Sequence, residues 1–364
     1  MKRKFIASMM LFLAVILMFL RVSAAADEKT ASPERQVTVA IKKGPSYVFH
    51  VMAVSKLGFD SDYAVIYKDT VVDEDKYFLQ KYDELLTFKD GKCGDLVQIA
   101  VFFPAYINLE TREDFKEYFS LLKKGFKVND FTDFLTRYAS FIEKLKVWPF
   151  KQNRIDNDYL KSLSKHRDII YEMEDIYLRN YGVYYQRLWE VEKGKMFDVA
   201  KIINDRLKHS KYENLIFKWE KTTGKKFKTD DYYIILSRAI KNGPSAISLG
   251  YDQNVLFYDF SYELMMKYIS HETGAHILID IFADMIKKGD YSFAEVYNAY
   301  ECLAAFYNSK ILNTSVYYLP SSYEPGEYES IYSKLYNENP GISPEALLTK
   351  GLNIFLSSKK SVSE

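Results

Sequence analysis

Hydrophobic positions along this chain follow two different periods, and the change between them falls near residue 230. From about 111 to 210, apolar residues recur three and four apart, which predicts helices over 112–124, 130–147, 158–179 and 183–207, with Pro149 and Gly182 marking breaks. Before them, 47–57 and 76–86 carry apolar helical faces, 95–107 is apolar without a clear period, and 37–41 alternates like a short strand. Beyond 230 the pattern becomes β-like. Tyr232-Tyr233-Ile234-Ile235-Leu236 is β-branched and aromatic, Gly243-Pro244 turns the chain, and Ala246-Ile247-Ser248-Leu249 and Val255-Leu256-Phe257-Tyr258 flank a turn at Gly250 to Asn254. These runs predict a small antiparallel sheet over about 230–260, with 253–260 as an edge strand to which an extended peptide can add.

Helical spacing returns over 262–287, through Leu264, Met265, Tyr268, Ile269 and Ile279. Ser261 is placed to cap this helix with Glu263 behind it, and Gly289-Asp290 to end it. A second helix starts near Ser292, a Tyr/Pro/Ser loop covers 317–325, and two last helices lie near 327–337 and 344–356. The expected fold class is therefore α+β, mostly helical, its small sheet packed beside the 262–287 helix. The expected organisation is a mainly helical region at 37–225 followed by a second region at 226–364.

Composition adds a leader and removes several functions. Lys2, Arg3 and Lys4 precede an apolar run from Phe5 to Leu20, and Ala24-Ala25-Ala26 supplies a small-residue cleavage site, so residues 1–26 read as a signal peptide and 27–36 as a flexible lead. The expected location is exported, periplasmic or secreted, with an uncleaved signal anchor as the only membrane contact. Cleavage would take Lys2, Arg3, Lys4 and Arg21 from the 50 basic residues and none of the 49 acidic ones, leaving a mature chain near −3. That balance gives no reason to expect nucleic acid as a partner. Two cysteines, Cys93 and Cys302, do not make a disulfide framework and read as small buried thiols. His166 and His209 sit among lysines and arginines and read as solvated.

Candidate chemistry concentrates in the 262–287 helix, where His271-Glu272-Thr273-Gly274-Ala275-His276 puts two of five histidines five positions apart with a glutamate after the first. A helix of this kind offers two imidazoles to a zinc ion and a carboxylate to a metal-bound water. The spacing is one residue too long for a regular helix face, because positions i and i+5 diverge by roughly 140°. A single widened π-turn would bring them together, and Gly274 would ease that distortion. Two readings stay open at this point: a zinc site with an inserted residue, or two helical histidines satisfied locally.

His-Glu-x-x-x-His resembles the zinc motif of the dipeptidyl-peptidase III type of metallopeptidase, a gluzincin. In that family the third ligand is the second glutamate of a later Glu-Glu-Cys-Arg-Ala sequence. Tyr300-Glu301-Cys302-Leu303-Ala304 resembles it, departing at Tyr300 and Leu303. Residues 230–310 also resemble uncharacterised exported bacterial gluzincin-like proteins. The resemblance implies one zinc ion on His271, His276 and Glu301, with Glu272 as general base in the hydrolysis of peptide bonds. Glu295 competes as third ligand, but Glu301 shares a small or polar stripe with Ala294, Asn298 and Ala305, opposite Phe293, Tyr297 and Tyr300. Asp280 is either an acceptor that orients a ligand imidazole or a solvated helix residue. Tyr317, Tyr318 and Tyr323 are candidate donors to a developing oxyanion. Three functions follow: an exported zinc peptidase acting on peptides or proteins, an inactive zincin-like binding protein, and a helical interaction module without metal.

Overall fold

The β-branched and aromatic runs beyond 230 form strands and the 3.6-period stretches form helices, so the chain is a mostly helical α+β protein. The computed structural model describes residues 35–59, 62–89, 92–150, 154–241, 246–259, 261–315 and 323–363. Residues 1–26, expected to be a signal peptide, most of the expected 27–36 lead, and Tyr317 and Tyr318 lie outside the described residues. Among the described residues no helix is long and apolar enough to cross a membrane.

Four strands, β1 (Gln36–Ala40), β2 (Asp231–Ser237), β3 (Ala246–Gly250) and β4 (Gln253–Phe257), make a sheet of order β1-β2-β4-β3. It is mixed, not antiparallel as expected. Only β3 and β4, joined by a tight turn, run antiparallel, while β1–β2 and β2–β4 are parallel. Parallel pairs need long crossovers, and the chain supplies one in the whole helical stretch between β1 and β2. The strand expected at 253–260 is observed as β4, Gln253–Phe257, and is consequently interior, with β1 and β3 as the edges. The register between β3 and β4 slips after Ser248, a bulge of the kind that re-aims side chains.

Both faces of the sheet are covered, which is why its strands read as near-continuous apolar runs. Ile235, Val255 and Phe257 face a core that includes residues of α1 (Lys43–Val54), α2 (Arg112–Val128) and α3 (Arg167–Tyr184). Tyr232, Ile234, Leu236 and Leu256 face a second core. That core draws on α4 (Glu190–Lys208), α5 (Leu215–Thr223), α6 (Tyr262–Lys288), α7 (Phe293–Leu312), α8 (Pro325–Glu338) and α9 (Pro344–Ser363). Residues Gln36–Glu364 form one compact unit, and its two cores divide at Trp189, which packs against both. Thus the apolar faces of α4 and α5 pack with the later elements. Gly182 does not interrupt the chain's path: helix continues from α3 into α4 through a π-helical segment at Tyr185–Trp189.

The helix that carries the histidines is regular. Ser261 caps α6 by accepting from the Leu264 N–H, and Gly289 ends it in the left-handed conformation. No widened turn occurs between His271 and His276. Gly274 serves close packing instead. The six-membered ring of Trp219 on α5 packs against it, so that a Cβ there would meet ring carbons at 2.1–2.4 Å, and the indole N–H donates to Ser270 Oγ at 3.2 Å. Gly274→Ala should therefore destabilise the fold by about 1–3 kcal/mol despite alanine's better helix propensity. Urea unfolding monitored by tryptophan fluorescence measures this, and an unchanged or raised midpoint would refute the packing role.

Candidate functional site

The second core holds a cluster of polar side chains where α6 and α7 meet the β3–β4 hairpin. On α6, His271 points toward α7, and its Nε2 lies 3.0 Å from Glu301 Oε2. Glu295 does not take this place. It closes a capping box with Ser292 at the start of α7, its carboxylate accepting from the Ser292 N–H at 2.8 Å. Asp280 is exposed and paired with Lys228, so it orients no imidazole.

His276 is turned away from that pair. Its Nδ1–H donates to the Tyr251 carbonyl at 2.8 Å, and its Nε2 lies 2.8 Å from Ser248 Oγ. A carbonyl only accepts, so the proton sits on Nδ1 and Nε2 accepts from the serine hydroxyl. The ring is 1% exposed and packs between Tyr232 and Trp148, at 4.9 and 5.1 Å between centroids. A regular α6 explains the divergence, because residues five apart point roughly 140° away from each other. Position 275, one turn after His271 on the same face, is alanine. Of the expected three-ligand set, the arrangement brings His271 and Glu301 together and turns His276 to the hairpin. Among the described residues, no three His, Cys, Asp or Glu side chains converge as a group able to hold a metal ion.

Glu272 faces the hairpin. Asn254 Nδ2 donates to its Oε2 at 2.9 Å and approaches Ser248 Oγ at 3.4 Å. Ser248 and Asn254 are opposite each other in the β3–β4 register, so one cross-strand pair serves both Glu272 and His276. Neither residue was singled out by the sequence. The only signal for Ser248 is polarity between apolar neighbours on its strand, and Asn254 follows another polar residue, Gln253, at a position expected in the turn.

Charge is crowded here. Burial, reinforced by the Glu301 charge, raises the Glu272 carboxyl to about 7, although His271 and the Asn254 hydrogen bond pull it down. Glu272 nonetheless keeps partial contact with solvent, as does Glu301, whose side chain is 15% exposed. Burial alone would depress His271, but the Glu301 hydrogen bond and the charges of Glu301 and Glu272 outweigh it and leave its pKa raised. His276 has no such acidic neighbour; burial lowers it to about 4, opposed only by the Tyr251 carbonyl. Of the three tyrosines expected near an oxyanion, Tyr323 is described. It hydrogen-bonds Tyr297, and burial followed by the Glu301 charge raises its pKa. Tyr297, assigned to the opposite face of α7 by sequence, lies one turn before Glu301, whose charge is the main cause of its own raised pKa.

The remaining residues sit as their surroundings dictate. Cys302 is buried, its thiol directed at the Tyr323 carbonyl at 3.3 Å; both cysteines are free. His209 is exposed, and His166 is half-buried against Asp95 at 3.3 Å. Comparison of the chain with protein-family models, curated proteins and solved structures finds no match.

The raised Glu272 carboxyl makes stability fall with pH. The folded state holds the proton up to about 7, whereas the unfolded carboxyl releases it near 4.5, so folding is progressively disfavoured across that window and the deficit persists above it. Metal-free Glu272→Gln should accordingly match wild type at pH 4 and exceed it by about 1–3 kcal/mol at pH 8. Denaturant melts at the two pH values test this; equal gaps at both would contradict it.

Proposed function

We propose that the chain is an exported, zincin-like binding protein whose pocket receives a peptide without zinc-dependent hydrolysis. The observation that carries the reading is His276: both ring nitrogens are engaged by the hairpin, at Ser248 and Tyr251, while His271 and Glu301 pair elsewhere. An ion beside Glu301 would find one imidazole, where the expected set supplies two. Two half-buried carboxylates, Glu272 and Glu301, with Tyr297 and Tyr323 beside them, suit a polar or cationic end of a peptide. The outer strand β3 offers main-chain groups for an extended segment, in the place first expected of 253–260.

A zinc peptidase is the second reading, and one observation favours it. A carboxyl near 7 is matched to proton abstraction at neutral pH, the role expected of Glu272. That function requires the His276 ring to leave Ser248 and Tyr251 and rejoin His271.

Zinc titration calorimetry and a mixed peptide library separate the readings. Wild type should bind zinc weaker than micromolar and release no fragments, yet retain peptides by equilibrium dialysis. Ala275→His, which restores the four-residue spacing on a regular helix, should tighten zinc. Tight stoichiometric zinc in the wild type, with hydrolysis abolished by Glu272→Gln, would establish the peptidase instead.

A further inference from the structure

His276 and Ser248 have the geometry of a base and its nucleophile. The hydroxyl is 2.8 Å from Nε2, the base nitrogen of the ring, and the opposite nitrogen is fixed at 2.8 Å by the Tyr251 carbonyl. This is the order nucleophile, base, orienting acceptor that activates serine hydroxyls, with a backbone carbonyl in the orienting place. Asn254 adds an amide N–H donor 3.4 Å from Ser248 Oγ, on a residue that is itself fully buried and fixed against Glu272. Ser248 is half-buried on an edge strand beside a bulge, which leaves it the most accessible member of the group.

We propose that Ser248 and His276 form a metal-independent catalytic pair that hydrolyses small carboxylic esters through an acyl-serine. This goes beyond peptide binding in the pocket and needs no metal. Ser248 Oγ attacks the acyl carbon and its proton passes to His276 Nε2. The developing oxyanion takes the Asn254 N–H. The acyl C–O bond then breaks, and the leaving alkoxide recovers the proton from Nε2 as the alcohol. Water repeats the sequence on the acyl-serine: its proton goes to Nε2, Oγ leaves and regains a proton, and the acid is released. Ester and water are consumed; acid and alcohol form.

The orienting group argues for esters over amides. A neutral carbonyl stabilises the transient imidazolium less than a carboxylate would, so the leaving group must depart with little proton donation, as alkoxides do and amines do not. The packing argues for small acyl groups, because Trp148 and Tyr232 close on the ring.

The test uses the full mature chain in a metal chelator, with a fluorophosphonate probe and p-nitrophenyl acetate. Peptide mapping should find the probe on Ser248, and Ser248→Ala should lower ester hydrolysis at least about a hundredfold, to the level of exposed side chains. Ser248→Ala keeps the His276–Tyr251 bond, and circular dichroism checks that it folds. Ser248→Cys should react with iodoacetamide faster than the same protein unfolded in urea. Folded wild type that carries no probe on Ser248, or Ser248→Ala with undiminished hydrolysis, would overturn the proposal, and neither result bears on zinc or peptide binding.

Discussion

The direction of the His276 ring governs everything around it. By giving Nδ1–H to the Tyr251 carbonyl and accepting from Ser248 at Nε2, it ties the middle of α6 to the β3–β4 hairpin across the second core. Both nitrogens of a fully buried imidazole are thereby satisfied, where an unpaired one would cost roughly 1–3 kcal/mol. Trp219 on Gly274 and the Thr273 hydroxyl on the Ile269 carbonyl, at 2.7 Å, hold the same turn from other sides. With that turn kept α-helical, His271 has to face α7, and the two imidazoles belong to different surroundings.

One helix therefore serves two chemistries. On the α7 side, Glu301, Glu272 and His271 crowd charge in a half-buried cluster, where Glu301 raises the pKa of both its neighbours. On the hairpin side, a neutral imidazole and a serine hydroxyl sit among aromatic rings. Asn254 bridges the two through Glu272 Oε2 and Ser248 Oγ, so a change of charge on Glu272 is felt at the serine.

Much of the fold was legible because it rests on periodicity and caps: the strands around Ile234, Ile247 and Val255, the Ser261 and Ser292 helix starts, and the Gly289 stop all follow local rules. Strand order was not, since nothing local tells β4 that it will be flanked by β2, or tells 37–41 that it will pair with a strand almost two hundred residues away. In the site, that Glu301 and not Glu295 faces α6 was readable from the small and polar stripe of α7. The turn of His276 was not, because it depends on Ser248 and Tyr251 of the hairpin and on the Trp219 ring, all supplied by other elements. The same ring reassigned Gly274: a residue read as licence for a π-turn is instead the space that an indole fills.

Ring nitrogen resonances of histidine report this division directly. In protein labelled with ¹⁵N at histidine, His276 is expected as the Nδ1–H tautomer, neutral from pH 8 down to near 5, and unmoved by added zinc, while His271 titrates and shifts with the metal. His276 and His271 shifting together on zinc addition would mean that both imidazoles reach one ion, and would contradict the separation of the two sites.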